Sequence, residues 1–94
     1  MSAPIQVRFS GRDINLDMAN WETIKMVRKE VIRILEIDKK KYNLKLKLRT
    51  LGHSEVSEYL SLLNLKDLKD LEYNGSRMIL YSELVRKEDK CTIM

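Results

Sequence analysis

The chain predicts an α+β domain: a mixed four-stranded sheet packed on one long helix. Three observations predict it. Apolar residues alternate with polar ones in several short runs, one apolar stripe recurs at helical spacing, and 94 residues suffice for a single small core.

Ile5, Val7 and Phe9 alternate with Gln6, Arg8 and Ser10, the period-two signature of a half-buried strand. Ser10-Gly11-Arg12 is turn material, and Ile14, Leu16 and Met18 then alternate with Asp13, Asn15 and Asp17. The two runs are close enough to form a hairpin. Asn20 can cap a helix whose first turn holds Trp21 and Glu22. Its apolar stripe is Ile24, Val27, Val31, Ile34 and Leu35, running to about Ile37. Trp21 is expected in the core or at its boundary. The charged run Asp38-Lys39-Lys40-Lys41 ends the helix, its lysines suited to the negative end of the dipole.

A third strand places Leu44, Leu46 and Leu48 toward the core, with Lys45, Lys47 and Arg49 facing out. Residues 54–71 are leucine-rich and suggest short helical pieces. Asn74-Gly75 is a turn, and residues 77–85 read as the last strand. One helix with one apolar stripe must cover the apolar faces of all these strands, so the first and last pair as parallel central strands.

Hydrophobic residues make up 44% and charged residues 34%, a folded rather than a disordered composition. The formal net charge of +4 is mild; it slightly favours anionic surfaces or acidic proteins, and does not by itself indicate nucleic acid. The N-terminal residues lack the apolar region of a signal peptide, and no apolar run approaches a membrane span. A cytoplasmic protein is therefore expected.

The final residues are Cys91-Thr92-Ile93-Met94, with the only cysteine four places from the end. This is the prenylation pattern, and a final Met favours farnesyl. Thr92 is polar where an aliphatic residue is usual. Cys91 is the expected attachment point, with Thr92, Ile93 and Met94 removed after a prenyltransferase has acted. The expected organisation is a domain over 1–85 and a tail over 86–94 carrying this box. One prenyl chain gives only marginal membrane attachment, and the tail's charges, Arg86, Lys87 and Lys90 against Glu88 and Asp89, supply little more.

The order of elements resembles the β-grasp fold of ubiquitin-like proteins. The segment from Leu68 through Asp70-Leu71-Glu72-Tyr73-Asn74-Gly75 into Leu80 looks like the ubiquitin stretch where a helical turn leads into the last strand. Conjugated relatives end in Gly-Gly, whereas here glycine occurs only at positions 11, 52 and 75, so conjugation is not expected. A ubiquitin-like domain followed by a prenylation box is similar to membrane-anchored ubiquitin-fold proteins. That resemblance implies an adaptor at the cytosolic face of a membrane, binding a protein such as a ubiquitin-conjugating enzyme.

By likeness to ubiquitin's last strand, Met78 and Leu80 point inward while Ile79 and Tyr81 point out. Arg8, Lys45, Lys47, Arg49, Ile79 and Tyr81 then form a basic docking face with an exposed Ile and Tyr at its centre. The inverted alternation buries Ile79 and Tyr81 instead. The rival reading of the whole chain is a soluble module of the Ras-binding sort with an incidental terminal cysteine. The outward acids Asp13 and Asp17 count against it.

Lys25, Lys29 and Arg33, with Arg28 beside them, make a basic ridge along the helix that Glu22 and Glu36 partly offset. A solvated face is expected there, a membrane-apposed or acid-binding ridge being the alternative. His53 is the only histidine, and no cysteine lies near it, so no metal site is expected. No phosphate-binding glycine loop, nucleophile elbow or carboxylate pair in a cleft occurs, and the expectation is a monomeric, non-enzymatic protein without cofactor.

Overall fold

A computed structural model describes residues 2–48, 55–69 and 71–87. In chain order it runs β1 (Ser2–Phe9), β2 (Arg12–Ala19), α1 (Ile24–Leu35), β3 (Tyr42–Lys47), α2 (Leu62–Leu65), β4 (Glu72–Asn74) and β5 (Arg77–Arg86). Among the described residues the sheet has five strands rather than the four expected. Its order is β2-β1-β5-β3, with β4 added against the first residues of β5. The first and last strands pair in parallel at the centre, Ile5 beside Met78 and Val7 beside Leu80, as the apolar pattern predicts.

The hairpin from β1 to β2 closes through Ser10 and Gly11, between the paired Phe9 and Arg12. Both turn residues have positive φ, 49° and 80°, the requirement of the two-residue turn whose twist matches that of the strands. Glycine meets it freely; serine does not.

Helix α1 spans 12 residues and is shorter than the sequence suggests. Thr23, not Asn20, occupies its N-cap position, in extended conformation and without a side-chain cap bond. Thr23 is held instead by a bridge to Ser61: the Ile24 N–H donates to the Leu60 carbonyl and the Leu62 N–H to that of Glu22. This pairing keeps residues 20–23 out of the helix. The helix stops at Glu36, which turns left-handed at φ 55°, while the Ile37 N–H closes back on the Ile32 carbonyl.

The core lies between α1 and one face of the sheet. Ile24, Val27 and Val31 meet Ile5, Val7, Leu44, Leu46, Met78 and Leu80, all nearly inaccessible to water. Val56, Leu62, Leu65 and Leu71 from the connection seal one end. Ile34, expected in the stripe, is exposed because it lies at the edge of the helical arc that Ile24, Val27 and Val31 define. Leu48 and Leu35 are half-buried at the rim. Trp21 also departs from expectation: 72% of it is exposed, since the later helix start leaves it in the preceding turn.

Candidate docking surface

The strand pairings decide which side chains share the outer face of the sheet, opposite the helix. One row crosses four strands: Asp13 on β2, Arg8 on β1, Tyr81 on β5 and Lys47 on β3, each directly opposite the next. The Arg8 guanidinium lies 5.7 Å from the centre of the Tyr81 ring, within cation–π range. On its other side Arg8 Nε is 3.7 Å from the Asp13 carboxylate. The Tyr81 hydroxyl donates to Glu72 Oε2 at 2.5 Å, and Lys47 Nζ donates to the Glu83 carboxylate. The Ser82 hydroxyl donates to the Arg8 carbonyl at 2.7 Å and locks β1 to β5 from the opposite face. Tyr81 is thereby half-buried, with its ring edge and hydroxyl fixed before any partner arrives.

The neighbouring row runs Asn15, Gln6, Ile79 and Glu72. Here one expectation fails. Ile79 does sit on the outer face, and Met78 and Leu80 point to the core as predicted, yet Ile79 is only 5% exposed. Side chains of adjacent strands cover it: Gln6 on one side, itself 3% exposed, and Glu72 on the other. The Gln6 amide oxygen accepts from Asn74 Nδ2 at 2.8 Å, which closes the cover. Ile79 therefore supports the face from below and is not an exposed anchor.

The face is also not basic. Four cations, Arg8, Lys45, Lys47 and Arg77, share it with four acids, Asp13, Asp17, Glu72 and Glu83. Asp13 pairs with Arg8, Glu83 stands opposite Lys45 and bonds Lys47, and Asp17 lies 3.3 Å from Arg77. Arg77 also donates to the Leu16 carbonyl at 3.2 Å, bracing β2 from β5. Exposed pairs of this kind are each worth about 0–1 kcal/mol, so their effect is charge balance more than stability.

The expected helix ridge is broken up in the same way. Arg28 donates to Glu58 at 2.8 Å, and Arg33 bonds Glu30 within its own helix. That bond holds the Glu30 carboxyl below its usual range and raises Arg33. Arg49, His53 and the box residues Cys91, Thr92, Ile93 and Met94 lie outside the described residues. Among the described residues no group of three metal-ligating side chains occurs, and no helix is long and apolar enough to cross a membrane.

The sequence reading missed two strongly exposed aromatics that flank the Thr23–Ser61 bridge. Trp21 is exposed two residues before Thr23, and Tyr59 is exposed two residues before Ser61, the bridge partner of Thr23. Tyr59 is 79% exposed. The one available signal was the pair of large aromatics in turn-forming stretches, which periodicity does not weigh.

Comparison with solved structures places this architecture. The ubiquitin-like domain of an Arabidopsis thaliana protein matches with a TM-score of 0.60, over 88% of this chain and 77% of its own, at 13% identity. The fold is ubiquitin-like. Ubiquitin from Caldiarchaeum subterraneum also matches at 0.60, over 90% of this chain and 98% of its own, at 16% identity. A chain of the MycP5-free ESX-5 inner membrane complex matches at 0.56 and 12% identity over 95% of this chain, which spans only 22% of that one. No protein-family model and no curated protein sequence matches. Likeness at these identities is likeness of fold, and function must be argued from the surface.

Proposed function

We propose that this chain is a non-enzymatic ubiquitin-fold adaptor. It docks a protein partner on the outer face of its sheet, while prenylation of Cys91 tethers it to the cytosolic face of a membrane. The docking half is carried by one observation: Tyr81 is fixed within a four-strand row, with Arg8 over its ring and Lys47 opposite it on β3. Tyrosine and arginine dominate interface energies, and anchors already held in place lose little freedom on binding. Because the face is charge-balanced, it suits a partner of mixed polarity and not a strongly acidic one. The tether is supported by the Cys91-Thr92-Ile93-Met94 box, which a prenyltransferase would read. The ubiquitin-conjugating enzymes are the partner class implied by the likeness to membrane-anchored ubiquitin-fold proteins. The Ras-binding-like alternative needs bases on β2, where Asp13 and Asp17 face outward instead.

Two measurements test the reading. Intact-mass analysis of the chain from eukaryotic cells should show a farnesyl adduct lacking the last three residues; an unmodified terminus removes the tether. Titration of purified ubiquitin-conjugating enzymes should lose about thirtyfold or more in affinity with Tyr81→Ala and Lys47→Glu combined. If that variant binds normally while Trp21→Ala with Tyr59→Ala does not, docking runs through these exposed aromatics and not the outer face of the sheet.

A further inference from the structure

A groove between α1 and β3 collects cations from three separate segments. Arg28 and Lys29 come from the helix, Lys39 from the connection that follows it, and Lys87 from the residue after β5. Ile32 and Leu44 line it between them, and it encloses about 220 Å³. Lys87 ties the segments together, its N–H donating to the Lys41 carbonyl at 2.8 Å and its ammonium to the Lys39 carbonyl at 2.6 Å. Glu58 offsets Arg28, and the nearby Asp38 carboxylate accepts the Lys40 N–H at 2.9 Å. Among the described residues no carboxylate pairs with Lys29, Lys39 or Lys87. A positive concavity of this kind attracts and orients a multiply charged anion.

We propose that this groove is a binding site for the phosphate-bearing headgroup of an anionic membrane lipid. Its volume is below that of a site for a drug-sized ligand and suits a compact head carrying phosphate. Its position decides between a lipid and a soluble phosphate. Lys87 lines the groove, and Cys91 follows it by only four residues in the chain. A prenyl group there brings the groove to the bilayer surface. Stable anchoring by one prenyl chain takes a second signal such as a basic patch, and the tail's own sequence supplies little positive charge. The folded domain supplies what the tail lacks. The membrane setting rests on the tether proposed above, but the headgroup site can be tested without any lipid on Cys91.

Unmodified full-length chain is sedimented with vesicles of phosphatidylcholine alone and of phosphatidylcholine with phosphatidylserine. Binding is expected to the mixed vesicles only and to weaken as chloride is raised. Lys29→Ala and Lys39→Ala should each lower the partition coefficient about fivefold at low salt, while Lys66→Ala, on the segment after α2, leaves it unchanged. These lysines are exposed, so unchanged thermal melts will confirm that the variants fold. Inorganic phosphate, compared with chloride at matched ionic strength, separates the two sources of anion. If phosphate perturbs the groove's amide resonances while the mixed vesicles do not bind, the ligand is a soluble anion and the lipid assignment fails. Equal loss with Lys66→Ala, or no binding to the mixed vesicles, also overturns it. A farnesyl adduct found in cells together with either failure would leave the tether standing and remove only the headgroup site.

Discussion

The outer face of the sheet and the groove beside the helix carry the same number of cations, yet they are opposite kinds of surface. On the sheet, register sets each cation near an acid on the next strand or, for Arg77, two strands away, so that the charges there balance. In the groove three of the four cations face no carboxylate partner among the described residues, and they meet because loops and strand ends converge. The contrast teaches that a count of lysines and arginines on a strand says little about its potential. Cross-strand neighbours decide it, and they lie far away in sequence. Breaking the Gln6–Asn74 hydrogen bond on the outer face should therefore cost stability, whereas removing Lys29 or Lys39 from the groove should cost binding alone.

The largest stability effect expected from this contrast is at Asn74. Removing its amide with Asn74→Ala leaves the buried Gln6 oxygen without the donor seen 2.8 Å away, a loss of about 1–3 kcal/mol in urea unfolding. Adding Gln6→Met should recover much of that, since replacing both partners with apolar groups is far cheaper than orphaning one. If Asn74→Ala is neutral, the outer face is not a structural polar layer and the comparison breaks. By contrast Lys29→Ala with Lys39→Ala should change unfolding by no more than about 0.5 kcal/mol, as surface substitutions away from structural contacts do. Glu58→Ala sharpens the other half. Freeing Arg28 should raise anionic-vesicle binding, at a stability cost of about 1 kcal/mol or less.

Much of the fold was legible because period-two runs are long enough to read. Ile5 to Phe9, Ile14 to Met18 and Leu44 to Leu48 each give three apolar points on one face, and the parallel pairing of the two chain ends follows from having one helix to cover them. Strand β4 was not legible, since Glu72-Tyr73-Asn74 is too short to show any period. Trp21 was misplaced because a stripe read back to Asn20 ignores the bridge to Ser61, a contact set by tertiary structure. The docking face was half legible: alternation put Arg8, Lys45, Lys47, Ile79 and Tyr81 on one side. It could not show Gln6 and Glu72 closing over Ile79, nor Glu83 meeting Lys45 and Lys47 across 38 and 36 residues. The groove was invisible, its members lying as far apart as Arg28 and Lys87.

Smaller effects refine the same picture. A double-mutant cycle on Lys47 and Glu83 should give a coupling of about 0.2–1 kcal/mol, because both side chains retain access to water. A larger value would mean the pair holds the strands and is not merely balancing charge. At the β1–β2 turn, Ser10→Asn should stabilise by about 0.5 kcal/mol, since asparagine tolerates the left-handed backbone that serine adopts here at φ 49°.

The smallest expected effect concerns the helix ridge, the third place where cations gather. Glu30 is held below its usual carboxyl range chiefly by the hydrogen bond from Arg33, which outweighs an opposing desolvation and is reinforced more weakly by the Arg33 charge. A group whose folded pKa lies below its unfolded value contributes stability that is fully present above the unfolded pKa. That contribution is lost as pH falls through the folded value. Wild type should therefore exceed Glu30→Gln slightly in urea midpoint at neutral pH, and the difference should close on acidification below the carboxylate range. A gap that widened on acidification would mean Arg33 is not committed to Glu30. Arg33 would then join Lys29 as an uncompensated cation, and the helix would present a charged ridge where the structure shows an internally paired one.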